Sequence, residues 1–312
     1  NSTITTVQTG TVTVTPRIGA CVGTPRTFSV TVVPGTSVDP IPPQTFCAGA
    51  PIILNFSSTS STATYNWTNS NVNTGIPASG TGNINVPANA VTTVQNATLT
   101  VRANESGCLG PPRTVQITVR PLPTVNQPNN ITRCAGQNAT INFTGTGTPV
   151  YEWTNSNPAI GLGPSGTGNI NFATAAPGGV KQTATITVTP RSGNCVGNSV
   201  NFTITVNPPP VMQDPPDLTV CPGDPIDVMF SGAAPGATYS WTNTNGSIGV
   251  PTTGSGNISA VATGSTNPII GVFTVRATEN SCIGLPQNFS VVVSPAPVLN
   301  AVSNVTRCSG QA

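Results

Sequence analysis

The stretch Tyr151–Ile170, YEWTNSNPAIGLGPSGTGNI, is one of three related stretches that decide the fold. The others are Tyr65–Ile84, YNWTNSNVNTGIPASGTGNI, and Tyr239–Ile258, YSWTNTNGSIGVPTTGSGNI. Each holds one of the three Trp residues of the chain, which are Trp67, Trp153 and Trp241. A lone Trp on a short β-type run, followed by Asn, Gly, Ser and Thr, predicts the core anchor of a small sandwich. We therefore expect core packing for these indoles rather than a role as exposed sugar-stacking platforms.

The cysteines show that the chain repeats every 87 residues. Two sets of four cysteines each keep this period, one being Cys21, Cys108, Cys195 and Cys282 and the other Cys47, Cys134, Cys221 and Cys308. Such a period is too long for a solenoid turn and suits an immunoglobulin-like domain. The sequence therefore predicts an all-β fold, a tandem array of immunoglobulin-like β-sandwich domains.

The repeat places three whole domains in the chain, at residues 34–120, 121–207 and 208–294. Residues 1–33 form the C-terminal part of a repeat, and residues 295–312 form the N-terminal part of a further one. Neither terminal piece contains a Trp stretch, so we expect neither to close a core by itself. Two explanations stay open: a longer natural chain, or completion of these pieces by another copy of the protein.

Composition narrows the function classes. Only 6% of the 312 residues are charged, the net charge is +2, and there is no His. So few charged residues form no basic patch that could bind nucleic acid. No apolar run approaches the roughly 20 residues that a membrane-spanning helix needs. Without His, no Ser-His-Asp or Cys-His set is possible, and no paired carboxylates stand out. We expect no enzyme activity and no cofactor. A neutral surface of Thr, Ser and Asn favours an extracellular location.

Alternating runs predict the strands. Each repeat should end in a hairpin, with strands at 11–15 and 27–33, 98–102 and 114–119, 185–189 and 200–206, and 272–276 and 288–293. A Pro-rich connector follows each hairpin and should act as a short, stiff joint. Earlier strands are expected at 52–56, 139–143 and 226–230, with Phe inward, before the Tyr-x-Trp strand. The Gly-rich segment should then bend into a short strand at Ile84, Ile170 or Ile258. No segment has a convincing helical period.

Regular cysteine pairs in a charge-poor chain predict disulfides. Zinc is not expected, because Cys-x-x-Cys and His are both absent. Pairing within a repeat would join Cys47–Cys108, Cys134–Cys195 and Cys221–Cys282, and each bond would close a loop that contains the Trp of its repeat. Pairing across a joint, such as Cys21–Cys47, would instead staple neighbouring domains. Other pairings and free thiols stay open, although the first scheme is favoured.

Three further patterns have unremarkable explanations. The Ser-Gly-Thr-Gly-Asn segment at 79–83 and 165–169 lacks the Lys and the strand-to-helix context of a phosphate loop, so we expect a β-turn with Gly at positive φ. The acidic residues Asp214, Asp217, Asp224 and Asp227 occur in one repeat only, so no calcium site repeats. The Asn-x-Ser/Thr sites, for example Asn66, Asn96, Asn138, Asn201 and Asn288, fit a solvated strand face, and glycosylation stays open.

The motif order complete in residues 134–208 resembles the PKD-like repeat of very large secreted surface proteins of the Bacteroidota. It runs Cys-x-Gly, Tyr-x-Trp-Thr-Asn-x-Asn, Ile-Gly-Leu, Ser-Gly-Thr-Gly-Asn-Ile, Thr-Ala-Thr-Ile-Thr-Val-Thr-Pro, Cys-x-Gly, Phe-Thr-Ile-Thr-Val-Asn-Pro. Those proteins are often exported by the type IX secretion system and linked to adhesion or gliding. The resemblance implies a structural or adhesive cell-surface role as a stiff fibre or stalk, with neighbouring repeats or other copies as partners. An alternative is a module array that binds surface glycans or proteins through its Gly/Asn-rich loops.

Overall fold

The computed structural model describes residues 6–264, 266–307 and 309–310. Within these ranges the protein is all-β, and the only helical segments are 3-10 turns of three residues. The described chain divides into two compact units. One comprises the described residues within 1–126, 143–152 and 188–200, and the other comprises those within 127–142, 153–187 and 201–312.

The N-terminal piece, in its described part, forms paired strands without a sandwich around them. The strands are β1 (Gln8–Val14), β2 (Arg17–Ile18), β3 (Cys21–Val22) and β4 (Arg26–Val32). β1 pairs antiparallel with β4, and Val12 lies opposite Phe28. Both side chains are exposed, whereas the residues at the same positions of the next repeat, Leu99 and Val115, are buried in a core. One face of this hairpin therefore exposes to solvent the apolar side chains whose counterparts in the next repeat are buried.

Residues 34–120 contain eight strands and one 3-10 turn, Val72–Thr74. The strands are β5 (Gln44–Cys47), β6 (Pro51–Leu54), β7 (Thr64–Asn69), β8 (Ser79–Thr81), β9 (Ile84–Pro87), β10 (Gln95–Glu105), β11 (Cys108–Leu109) and β12 (Arg113–Arg120).

The next two repeats follow the same plan, with 3-10 turns at Pro158–Ile160, Pro177–Gly179 and Gly246–Ile248. In residues 121–207 the strands are β13 (Ile131–Cys134), β14 (Asn138–Ile141), β15 (Val150–Asn155), β16 (Ser165–Thr167), β17 (Ile170–Ala173), β18 (Gln182–Ser192), β19 (Cys195–Val196) and β20 (Val200–Asn207). In residues 208–294 they are β21 (Leu218–Val220), β22 (Pro225–Val228), β23 (Thr238–Asn243), β24 (Thr253–Ser255), β25 (Ile258–Val261), β26 (Ile269–Glu279), β27 (Cys282–Ile283) and β28 (Gln287–Val293).

Each repeat folds as two sheets. A six-stranded sheet has the order β5-β12-β10-β7-β8 with β11 on β10, and its counterparts in the other repeats have the same order. A two-stranded sheet, β6-β9, β14-β17 or β22-β25, completes the repeat. In residues 34–120 the core joins Ile52 and Ile84 of the small sheet to Leu99 and Ile117 of the large one, all at most 2% exposed. Alternate side chains of each strand point into this core. The predicted all-β tandem of immunoglobulin-like sandwiches is confirmed.

Most of the predicted strands are present, but several short ones are not predicted, namely β8 and β11 with their counterparts, which lie in segments expected to be turns, and the strand just before the first Cys of each repeat. The short strands that begin at Ile84, Ile170 and Ile258 are as predicted. The residues between the Pro-rich connector and the first Cys of each repeat are assigned no element from the sequence, but they form β5, β13 and β21. These strands pair in parallel with the last strand of the same repeat, so that Cys47 lies opposite Arg120. A very short edge strand next to prolines has too little alternation to be recognised from sequence.

Candidate functional site

Two disulfides join consecutive repeats. Cys47 is bonded to Cys195, and Cys134 is bonded to Cys282; each pair is separated by 148 residues in the sequence. The Cα atoms are 5.4 and 5.5 Å apart, which is the usual range for a disulfide. The bond therefore connects the first Cys of one repeat with the second Cys of the repeat that follows.

The pairing expected within each repeat is wrong for these four cysteines. Cys47 lies opposite Arg120, the last residue of β12, whereas Cys108 follows the turn that precedes Arg113, the first residue of β12. An eight-residue strand spans about 23 Å at 3.3 Å per residue. Cysteines at opposite ends of such a strand cannot approach to the 4.4–6.8 Å that a disulfide requires. The same separation holds in every repeat that has this sheet order.

The alternative pairing across a joint, Cys21–Cys47, does not occur either. Cys21, Cys108 and Cys221 are free thiols in the described part of the chain, and Cys308 lies outside it. A disulfide between neighbouring repeats was one of the predicted alternatives, but the cysteines that form it are different. The hairpin Cys of a repeat bonds backwards to the preceding repeat, not forwards to the next one.

Two of the bridged cysteines, Cys134 and Cys195, lie beside a backbone turn. Cys134 ends β13, and its N–H donates to the side-chain oxygen Oε1 of Gln137 at 3.0 Å. Cys195 pairs with Ser192 across the β18-β19 turn, where Gly193 has a φ of +58°. Beside the first bridge lies a cleft of about 320 Å³ lined by Thr45, Arg120 and residues 192–194.

The three Trp side chains are 7–8% exposed and lie against glycine. Trp67 is opposite Gly80 in the β7-β8 pair, and a Cβ at Gly80 would overlap the benzo ring of the indole. The Trp67 Nε1–H donates to the Gly82 carbonyl at 3.0 Å. Gly82 has a φ of +71°, as expected for a turn glycine. The expectation of a turn was wrong for Gly80, which lies in a strand and is needed because the indole leaves no room for a side chain.

The Asn-rich loop after each Trp is held by its own amide groups. Asn155 is 8% exposed, and its Nδ2–H donates to the carbonyls of Leu162 at 2.8 Å and Gly163 at 3.2 Å. Its Oδ1 accepts from the Asn157 N–H at 3.0 Å. Asn157 in turn caps the short 3-10 turn by accepting from the Ala159 N–H. Amide groups committed in this way are not free to bind a ligand.

The acidic residues do not converge on a site. Asp217 accepts from the backbone N–H of Ser290 at 2.7 Å and from its hydroxyl at 2.9 Å, and these bonds lower the pKa of the Asp217 carboxyl. Asp224 accepts from the Cys221 N–H, and Asp227 accepts from the Ser259 hydroxyl. Among the residues with described positions, no group of three or more His, Cys, Asp or Glu side chains could hold a metal ion.

The carboxyl of Glu105 is held by hydroxyl groups. Hydrogen bonds from Ser60, Thr36 and Thr62 lower the pKa of Glu105, with Ser60 contributing most. These bonds tie the end of β10 to two loops of the same repeat. The carboxylate therefore has a structural role in the first sandwich.

No helix in the described ranges is long and apolar enough to cross a membrane.

Comparisons with known proteins return structural likenesses at low sequence identity. No protein-family model matches the chain. No curated protein matches it. Similar solved structures include immunoglobulin domains 1–5 of Sidekick-1, which are 15% identical with a TM-score of 0.33, over 84% of this chain and 58% of that one. Another is EC1-4 of Drosophila N-cadherin, 13% identical with a TM-score of 0.30, over 93% of this chain and 84% of that one.

A third is the I9-I11 tandem from titin, which is 14% identical with a TM-score of 0.29, over 83% of this chain and all of that one. This chain spans less than two thirds of the Sidekick-1 chain. At TM-scores this low, the likenesses carry no argument about function.

Proposed function

We propose that this chain is part of an extracellular surface protein in which serial sandwiches form a long, stiff fibre or stalk. Its role is mechanical and adhesive, and its partners are neighbouring repeats or other copies. The observation that supports this most directly is the overlap of the two disulfides. Bonds of this kind are typical of proteins that work in an oxidising, extracellular compartment.

The overlap shortens the covalent path through the chain. The first bridge spans residues 47–195 and the second spans 134–282, so the segment 134–195 lies within both. A pull transmitted from residue 47 to residue 282 crosses the first bridge, that shared segment and the second bridge. At about 3.5 Å per residue, this path extends to roughly 200 Å, against roughly 800 Å for the same stretch of chain without bridges.

Force spectroscopy tests the mechanical role directly. The chain is pulled from its two ends, once oxidised and once after reduction. We expect full unfolding to release roughly 600 Å more length in the reduced protein. The variant Cys108→Ser, which removes a free thiol, should behave as the oxidised parent does. Equal lengths before and after reduction would show that the bridges bear no load, and the mechanical role would be lost.

Electron microscopy tests the fibre itself. We expect native material to show an axial repeat of about 35–45 Å, one sandwich of six- to eight-residue strands per repeat. Randomly bent particles with no constant spacing would exclude a stiff stalk even if the bridges carry force.

We further place the chain among the PKD-like repeats of large secreted surface proteins of the Bacteroidota, on the motif string of residues 134–208. Export by type IX secretion follows from that assignment. Antibody labelling of intact cells, with and without a working type IX system, tests it. Labelling that persists without that system would remove the export route, while the mechanical proposal would stand.

The alternative role, binding of surface glycans or proteins by the Gly/Asn-rich loops, gains no support from the loop geometry. Asn155 and Asn157 use their amide groups within the loop. A glycan array probed with the chain and with Asn157→Ala would test it. Binding that this substitution abolishes, in a variant that stays folded, would restore the binding role.

A further inference from the structure

Glu279 in the third repeat, residues 208–294, has the position that Glu105 has in the first. Glu279 lies opposite Cys282 across the β26-β27 turn, as Glu105 lies opposite Cys108 across the β10-β11 turn. The Glu105 carboxylate accepts hydrogen bonds from three hydroxyl groups of its own repeat. In the part of the chain that the structure describes, the Glu279 side chain has no hydrogen bond and no ion pair. The protein therefore satisfies one of these carboxylates and leaves the other without a donor.

The sequence explains this difference between the two carboxylates. The residues that donate to Glu105 all carry a hydroxyl, and they are Thr36, Ser60 and Thr62. Two repeats further along, the same positions hold residues without a side-chain donor, which are Pro210, Ala234 and Gly236. The backbone supports the correspondence, because a Cβ on Gly110 would meet the Thr36 carbonyl and a Cβ on Gly284 would meet the Pro210 carbonyl. The third repeat thus has the carboxylate without its donors.

A cleft of about 330 Å³ lies where the hydroxyl groups are missing. Ala234 and Glu279 line it from the third repeat, and Lys181 and Asn207 line it from the middle repeat. All four residues belong to the same compact unit. Lys181 is the one lysine of the sequence, and within the described ranges its ammonium group has no hydrogen bond or ion pair either. The volume is at the lower end of the range for small-molecule sites, about 300–1,000 Å³.

Asn207 adds a buried polar group to the cleft. The residue is 7% exposed, and its backbone carbonyl accepts from the Ala135 N–H at 2.9 Å. Its side-chain amide, by contrast, has no hydrogen-bond partner among the described residues. Buried amide groups in proteins are normally paired, because an unpaired one has lost its bonds to water. A ligand that bonds to this amide would restore the missing partner.

We propose that this cleft binds a small zwitterion, of which a free α-amino acid is the simplest case. The ligand ammonium group donates to the Glu279 carboxylate, and the Lys181 ammonium group donates to the ligand carboxylate. The Asn207 amide bonds to the ligand at the buried side of the cleft. A ligand with both charges matches both side chains, whereas a simple anion would be repelled by Glu279 and a simple cation by Lys181.

The cleft beside the first bridge lacks the same set of groups. One repeat earlier in the sequence, Arg120 and Ser192 stand at the positions of Asn207 and Glu279, and both line that other cleft. Its described lining residues include no carboxylate that could accept from an ammonium group. We therefore expect one amino-acid site in the described part of the chain.

Isothermal titration calorimetry of the full chain with each of the standard L-amino acids tests the site. We expect saturable binding, with one ligand per chain, by at least one of them. The N-acetyl derivative of that amino acid lacks the ammonium group, and its carboxamide derivative lacks the carboxylate. Each should bind about tenfold more weakly, because a hydrogen bond between charged groups is lost. No saturable binding by any amino acid, or equal binding by either derivative, would overturn the proposal.

Variants locate the ligand within the cleft. Glu279→Gln should weaken binding about tenfold. Ala234→Ser returns a hydroxyl to the position of Ser60, so it should also weaken binding by donating to Glu279 itself. Glu152→Gln is the control, since it makes the same change in net charge at a residue that pairs with Arg191 and does not line the cleft.

Equal affinities of the Glu279→Gln and Glu152→Gln variants would place any bound amino acid elsewhere and overturn the proposal. Denaturant midpoints equal to that of the parent show that the variants are folded when they are compared. The cleft does not depend on the stiffness of the array, so failure of the fibre proposal would leave this inference intact.

Discussion

Trp67 and Gly80 face each other across two antiparallel strands, and the indole fills the space that a Cβ on residue 80 would need. The same arrangement holds for Trp153 with Gly166 and for Trp241 with Gly254. The single Trp of each repeat is therefore matched by a single position that tolerates only glycine.

Gly166→Ala should destabilise the middle repeat by about 1–3 kcal/mol, because the added methyl group forces the Trp153 ring out of its place. Chemical unfolding followed by Trp fluorescence measures the change. Gly163→Ala, in the loop just before β16, is the matched control, since a Cβ there would meet only the Ser165 carbonyl at 4.0 Å. Equal stability of the two variants would mean that the ring moves at no cost.

Removal of the first bridge by the double change Cys47→Ser and Cys195→Ser should lower the free energy of unfolding by about 2–4 kcal/mol, because the unfolded chain gains entropy when a long loop is opened. Denaturant midpoints under non-reducing conditions report this. Cys108→Ser alters a thiol that is already free and should leave the midpoint unchanged. A midpoint unmoved by the double change would contradict the bridge.

Asn155→Asp should cost about 2–4 kcal/mol at neutral pH, because a carboxylate would face the Leu162 and Gly163 carbonyls in place of a donor. Thermal unfolding is a sufficient measurement. Asn73→Asp adds the same charge at an exposed position of the corresponding loop in the first repeat and should have little effect. Similar losses in both variants would point to net charge rather than to the lost hydrogen bonds.

Asp217 should make stability depend on acid pH. Its pKa is lowered by the Ser290 N–H and hydroxyl, so it stabilises the fold above its ordinary value of 3.8, and this contribution is lost as pH falls through the folded-state pKa. Asp217→Asn should remove that part of the dependence. An amide can accept the same bond: in the middle repeat Asn130 Oδ1 accepts from the Thr203 N–H at 2.7 Å.

The measurement is the free energy of unfolding of the parent and the Asp217→Asn variant between about pH 2 and pH 5. The parent curve should fall more steeply with acid than the variant curve. Parallel curves would show that Asp217 has the same pKa in the folded and unfolded chains.

Much of the fold could be predicted because it is local and repeated. Alternation identified the hairpin strands, and the regular cysteine period fixed which elements recur. A Gly-rich stretch after a Trp indicated a turn, and Gly82 does adopt positive φ there. Gly80 could not be distinguished from it, since a close approach by an indole leaves no mark in the sequence.

The sequence by itself determined the kind of domain and its tandem repetition, because alternation and the regular spacing of Trp and Cys can be read directly from the order of residues. The tertiary structure alone decided which cysteines bond. A short parallel strand puts Cys47 at one end of the sheet, and the β10-β11 turn puts Cys108 at the other. That separation of about 23 Å excludes a bond within the repeat, and the sulfur of Cys195, 148 residues along the chain, takes its place.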